Sequence, residues 1–326
     1  MKNEGASSSD VPEPVLKTDF AWLGERYQGK VRDSYRSGAI RVLIATDRLS
    51  AFDRQITSVP GKGQVLTSMA QFWFSQTGHI VENHVIAVPD PSVMVVRNVE
   101  IIPIEVVVRG YLAGSAWRDY KEGRAISGVV LPAGLQEFEQ LASPIITPST
   151  KEVVGSHDLP ISEAEVVARG LATGPIWEQV RSAALALFDF ASKHVAKRGL
   201  LLADTKYEFG LLGDRVVLAD EVHTLDCSRF WVAASYHERV RSGLAPEMLD
   251  KEPVRRWLMA QGFSGEGEVP QVPDQYRMEL REYYKASAER ITGEPMVFDD
   301  REPISRISDA LKRFFSENGY PEILRP

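Results

Sequence analysis

The stretch LLADTKYEFG, residues 201–210, constrains the fold more than any other part of the chain. Together with Leu200 it opens as an apolar run, Leu200-Leu201-Leu202, of the kind found in buried strands. Asp204, Lys206 and Glu208 then follow at alternate positions. Successive side chains of a strand point to opposite faces, so these three charges share one face. Acid, base and acid on one side of a core strand read either as an exposed edge with solvated charges or as the floor of a polar site. The rest of the chain weighs towards the second.

The sequence continues as GLLGDRVVLADE, a second strand that makes a hairpin with the first around Gly213-Asp214. Glu208 on one arm and Asp220 on the other face each other only if the loop has three residues, Gly213-Asp214-Arg215, or a bulge. A two-residue loop pairs Tyr207 with Asp220 and turns Glu208 away, because a slip of one residue exchanges the faces. Two converging carboxylates beside a lysine suit Mg²⁺ held jointly with phosphate oxygens. The bland alternative is a surface ion-pair ladder of little energetic value.

Other segments carry charge in equally specific places. In YQGKVRDSY, Lys30 and Arg32 are expected on one face of a strand just past Gly29, where backbone and cations could meet a polyphosphate. Taken alone, a Gly-Lys pair is usually an ordinary hairpin. In IPIEVVVRGYLAGSAW a strand runs into Arg109 and then a small-residue turn bearing Ser115. An arginine at the end of a buried strand needs an anion, either a ligand's phosphate or carboxylate or a structural partner such as Glu105. Arg229 could reach the same place. Asp47 and Asp53 in ATDRLSAFD could line a site or cap turns. PGKGQ lacks the spacing of a Walker A loop and reads as a structural turn, and no Gly-x-Gly-x-x-Gly fingerprint occurs. His223 and Cys227 have no further zinc-ligand partners at suitable spacing.

Around these segments the expected organisation is as follows. Residues 1–14 are a Ser-, Pro- and acid-rich disordered tail, 15–104 a β-rich N-terminal lobe, and 105–326 an α+β lobe ending in helices, with a hinge near Asn98–Glu105. Ser162 and Glu165 have capping-box spacing, and a long helix runs through 175–198 to Gly199. With 326 residues the chain can bury a large core, and a net charge of −7 argues against a basic surface for nucleic acid. Cys227 is the sole cysteine, which fits a reducing compartment, and no apolar run approaches a membrane span. The expectation is a cytoplasmic protein, monomeric or a small homo-oligomer, that needs neither nucleic acid nor membrane.

IPIEVVVRGYLAGS and LADTKYEFG resemble the two signature segments of the phosphoribosylaminoimidazole-succinocarboxamide synthase (SAICAR synthetase) family. YQGKVRDSY, TDRLSAFD, VLADEVHTLDCSRFW and LDKEPVRRW follow in that family's order, so the resemblance spans roughly residues 20–260. It implies an α+β fold similar to the ATP-grasp group, with the β-rich lobe on the ATP-phosphate side. It implies an ATP-dependent ligase that joins carboxyaminoimidazole ribonucleotide (CAIR) to L-aspartate in purine biosynthesis, with Mg²⁺, through an acyl phosphate. By position it places Gly29, Lys30 and Arg32 on ATP phosphates and Glu208 and Asp220 on ATP-bound Mg²⁺. It places Arg109, Ser115 and Arg229 on the ribonucleotide's phosphate, and Asp158, Asp204 and Lys206 near its ribose and imidazole. Lys251 joins this pocket, and Lys206, Asp204 and Arg109 are the implied catalytic set. Arg32 stands where many members have lysine, which keeps the charge and changes the contact geometry. The aspartate site has no motif, with Lys151 and His157 the guesses. The rival readings are a small-molecule or inositol-phosphate kinase and a catalytically silent nucleotide-binding protein.

Overall fold

The computed structural model describes residues 12–52, 54–151, 159–249 and 251–319. In chain order the first elements are β1 (Glu25–Gln28), β2 (Arg32–Ser37), β3 (Ile40–Ala45), β4 (Arg48–Ala51), β5 (Arg54–Ser58) and α1 (Lys62–Thr77). Next come β6 (Val85–Asp90), β7 (Val93–Arg97), β8 (Glu100–Ile101), β9 (Ile104–Tyr111), α2 (Ser115–Lys121) and β10 (Gln140–Thr150). The chain continues with α3 (Glu163–Ala168), α4 (Gly174–Ala196), β11 (Leu200–Leu212), β12 (Arg215–Ala219), β13 (Ser228–Val232) and α5 (Ala233–Arg241). It closes with α6 (Glu252–Ala260), α7 (Asp274–Thr292) and α8 (Pro303–Glu317). The fold is α+β, and no helix among the described residues is long and apolar enough to cross a membrane.

By packing, the chain divides into two compact units. One takes the chain up to Phe72, Val85–Asn98 and everything from Lys251; the other takes Trp73–His84 and Val99–Asp250. The expected hinge region contains the crossing at Asn98. The C-terminal helices, however, group with the first unit, whereas the sequence reading carried the second lobe to residue 326. Residues 1–11 of the expected tail lie outside the described residues.

The first unit is built on an antiparallel sheet of order β1-β2-β3-β7-β6. Its core is Tyr35, Val42, Ile44, Val93 and Val95 from the sheet, closed by Ile307, Leu311 and Phe315 of α8. These last three recur at helical spacing and so form one apolar stripe. That periodicity announces the face, while nothing in it says which sheet the face will cover. Arg306 fixes the choice, since its Nη1 donates to both oxygens of Asp90 at 3.0 and 2.9 Å. Burial raises the Asp90 pKa, against the pull of the Ser92 amide and Arg306.

In the second unit, β11 is the spine of a sheet of order β10-β9-β11-β12, with β13 and β8 also paired to it. One edge of β11 pairs with β9 through residues 204–207 and with β8 at 210–211. The other edge pairs with β13 through residues 200–205 and with β12 through 208–212. At the break between those two partners the Lys206 amide donates to the Cys227 carbonyl, at 2.9 Å. Asp204 and Glu208 are buried, so this is no solvated edge. Strand β10 was not expected from the sequence because it carries Pro144 and Pro148, which an edge strand tolerates.

The hairpin decides between the two loops that the sequence left open. Leu212 pairs with Arg215, so the loop is the two residues Gly213-Asp214, and Glu208 lies opposite Ala219. Gly213 takes φ +64°, as a tight hairpin of this length requires. The ladder stops at Ala219, however, and Asp220 adopts φ +61°, a left-handed conformation that breaks the strand's alternation. Asp220 is therefore released from the face that the two-residue register would have imposed.

Candidate functional site

The site residues of the second unit form two groups along one face of β11. The first lies across three strands, because Asp204 is the register partner of Arg109 on β9 and of Arg229 on β13. Asp204 Oδ2 accepts from Arg109 Nη1 at 3.2 Å and from Arg229 Nη1 at 2.5 Å. The remaining donors of Arg109 are directed as well, Nε to Thr147 Oγ1 at 2.9 Å and Nη2 to Ser115 Oγ at 3.1 Å. Burial lowers the Arg109 pKa, and the Asp204 carboxylate opposes the shift. Gly114, at φ +61°, makes room for the second arginine, since a Cβ there would lie 2.6 Å from Arg229 Nη2. One carboxylate faces two guanidiniums, so this end carries an excess positive charge and suits a phosphate. The expected alternative partner for Arg109, Glu105, is engaged elsewhere.

Glu105 belongs to the second group. Lys206 Nζ donates to Glu105 Oε1 at 2.6 Å and to Glu208 Oε1 at 2.8 Å, while Lys151 Nζ donates to Glu208 Oε2. Burial alone would lower the Lys206 pKa, but Glu208, Glu105 and Asp220 together hold it well above the ordinary lysine value. Asp220 thus acts on Lys206, which is also bonded to Glu208. Burial would push the Glu208 carboxyl up, and the two lysines outweigh it to hold the group at about 2. The group thus brings the carboxylates of Glu105, Glu208 and Asp220 together with the ammoniums of Lys206 and Lys151. From Asp204 to Glu208 the strand rises roughly 13 Å, separating the two-arginine end from the carboxylate-rich one.

The remaining expected residues lie in the first unit or outside the description. Lys30 is exposed in the turn between β1 and β2 rather than in a strand, and Arg32 begins β2. Behind that turn sits buried Arg48, which the sequence reading did not single out. Its Nε donates to the Lys30 carbonyl at 3.0 Å and Nη2 to the Gly29 carbonyl at 2.8 Å, while Asp33 balances its charge at 3.0 Å. Lys251 precedes the first turn of α6 and is half-buried. Asp47 accepts from the amides of Val15 and Gly63, both at 2.8 Å, so it organises the PGKGQ turn. Asp53, His157 and Asp158 lie outside the described residues. His223 is fully buried against the Tyr207 hydroxyl at 3.2 Å, and no group of three metal-ligating side chains occurs among the described residues.

Comparison with known proteins decides the family. The SAICAR synthetase family model matches residues 25–272. The chain belongs to the SAICAR synthetase family. The phosphoribosylaminoimidazole-succinocarboxamide synthase of Legionella pneumophila (strain Lens) is 45% identical over 85% of this chain and 90% of its own length. That of Bacteroides fragilis (strain NCTC 9343) is 44% identical over 93% and 99%. Among solved structures, SAICAR synthase from Saccharomyces cerevisiae, complexed with SAICAR, superposes with a TM-score of 0.78 at 31% identity, covering 87% of this chain and all of the other. A SAICAR synthetase in complex with ADP gives 0.64 at 27% identity, over 84% and 100%. The family is one of ATP-dependent ligases of purine biosynthesis, and the kinase alternative is not favoured.

Proposed function

We propose that the β11 face is where this ligase makes its amide bond, with CAIR, L-aspartate and ATP as substrates. The observation that carries the assignment is the graded charge of that face. Arg109 and Arg229 share one carboxylate at one end, and the carboxylates of Glu208, Glu105 and Asp220 gather around Lys206 at the other. The cationic end takes the ribonucleotide's phosphate, with Ser115 Oγ adding a hydroxyl beside Arg109. Asp204 fixes both guanidiniums in place. Arg109 and Asp204 thereby anchor the substrate so that its carboxylate is presented towards Lys206, whose ammonium neutralises the charge developing on the transferred group. Gly29, Lys30 and Arg32 are assigned to the ATP phosphates, and Asp158 and Lys251 to the ribonucleotide.

A carboxylate is a poor electrophile, so it must first be activated. A carboxylate oxygen of CAIR attacks the γ-phosphorus and ADP leaves. The aspartate amine then attacks the acyl phosphate carbon, loses a proton and expels phosphate, which keeps the attacking oxygen. Mg²⁺ fits the donor set, because Glu208 and Asp220 offer oxygen ligands too few for a protein cage but sufficient for an ion shared with phosphates. When bound, it would supply charge neutralisation on the ATP phosphates. The lone cysteine remains the reason to expect a reducing, cytoplasmic setting.

ADP release measured with CAIR, with and without L-aspartate, tests the reaction. Turnover that needs both is expected, and release indifferent to aspartate overturns the ligase assignment. With ¹⁸O in the CAIR carboxylate, label is expected in released phosphate; unlabelled phosphate rejects the acyl-phosphate route.

A further inference from the structure

A turn that binds phosphate has to keep its carbonyl oxygens away from the anion, since each is the negative end of a peptide dipole. The turn at residues 29–32 does so at every position. The Gly29 carbonyl accepts from Arg48 Nη2 at 2.8 Å and the Lys30 carbonyl from Arg48 Nε at 3.0 Å. The Val31 carbonyl accepts from Thr46 twice, from its amide at 2.9 Å and from Oγ1 at 2.7 Å. The Arg32 carbonyl accepts from the Gly29 amide at 2.8 Å, which closes the turn, and from Arg48 Nη2 at 3.3 Å. Thr46 and Arg48 are buried, so all four carbonyls are drawn towards the interior, while the Lys30 side chain is exposed.

The two donors suit this task. A guanidinium presents five N–H groups in a fixed plane, and Arg48 directs its own to the carbonyls of Leu16, Gly29, Lys30 and Arg32 and to Asp33 Oδ1. A lysine ammonium has three donors and cannot serve the same set. Asp47, which stands between Thr46 and Arg48 in the sequence, is turned to the amides of Val15 and Gly63 instead. We propose that Thr46 and Arg48 are positioning residues for ATP, which hold the carbonyls of this turn inwards so that the surface left to the phosphates carries cations and no carbonyl oxygen. The inference rests on the reading of Gly29, Lys30 and Arg32 as the residues on the ATP phosphates.

The probe is the β,γ-imido analogue of ATP with Mg²⁺, titrated calorimetrically into the full-length enzyme, with adenosine as a reference ligand that has no phosphate. Arg48→Lys should weaken the analogue about tenfold and Thr46→Val about fivefold, as expected for the loss of one or two hydrogen bonds. Adenosine affinity and KM for CAIR should not change. Thr46→Ser restores the hydroxyl and should return the analogue to within about twofold of wild type. Equal weakening of the analogue and adenosine, or a matching rise in KM for CAIR, would mark a general structural role and overturn the proposal. An unchanged analogue affinity in Thr46→Val would overturn it too, and that variant decides the matter if Arg48→Lys does not fold. Lys30→Met separates this inference from the assignment beneath it. If Lys30→Met weakens the analogue while Thr46→Val does not, the phosphate turn stands and the positioning role falls. If Lys30→Met leaves the analogue unchanged, the turn is not on the phosphates and both fall.

Discussion

Both units bury ion pairs against a sheet, yet they use them differently. In the first unit, Arg306 and Asp90 are 2% and 1% exposed and neutralise each other one to one. Arg48 and Asp33 are 2% and 0% exposed, but here Asp33 also takes a second, partly exposed arginine, Arg26, at 3.2 Å, and the other donors of Arg48 go to backbone carbonyls that include those of Gly29 and Lys30 in the turn assigned to the ATP phosphates. In the second unit, Asp204 serves two arginines and Glu208 two lysines, and one cation of each set is partly open to solvent. A buried charge is therefore no mark of a site in itself. The mark is an unbalanced group with a member that solvent can reach, because only there does an incoming ion find uncompensated field.

The largest expected effect is on the stability side of that comparison. Arg306→Met leaves Asp90 buried without its cation and should cost about 3–5 kcal/mol. Chemical denaturation will read this as a lowered midpoint, while KM for CAIR stays unchanged in the enzyme that remains folded. A loss of less than ~1 kcal/mol would place this pair in the same class as the site charges.

Arg229→Lys should do the reverse. It keeps a cation beside Asp204 but loses the planar fork, so KM for CAIR should rise on the order of tenfold with KM for ATP and the denaturation midpoint little changed. A larger change in KM for ATP would move Arg229 to the nucleotide.

The smallest effect is a pH dependence. Glu208 is held at about 2 against an ordinary value of 4.5, so its ionisation contributes stability that is present above pH 4.5 and lost as the pH falls towards 2. Glu208→Gln lacks that contribution. The stability gap between wild type and Glu208→Gln should therefore be constant above about pH 5 and narrow in acid. A gap that stays constant down to pH 2.5 would show that the two lysines do not depress this carboxyl.

How much of this was legible in the sequence depended on the range of the interaction. The shared face of Asp204, Lys206 and Glu208 follows from strand periodicity, and the capping box of Ser162 and Glu165 formed as spaced. The partners of those charges were less accessible, since Arg109 and Asp204 meet across 95 residues and a register shift interrupts β11 before Asp204. The hairpin misled in a specific way. Strict alternation predicted that a two-residue loop would separate Glu208 from Asp220, and a single left-handed residue removed that constraint. Thr147 and Arg48 left no signal at all, because each is recognisable only by what it touches.

The placement of α8 has a consequence for synthesis. Asp90 waits for Arg306, 216 residues later, and the apolar sheet formed by β3 and β7 waits for Ile307, Leu311 and Phe315. At the usual 5–20 residues added per second, that interval is roughly 10 to 40 s. For that time the nascent chain carries that sheet without its α8 cover, and every strand of the second unit is made before the interval ends. The unit translated first is thus the one completed last, and a chain arrested before α8 would present a chaperone with the face that the finished enzyme hides.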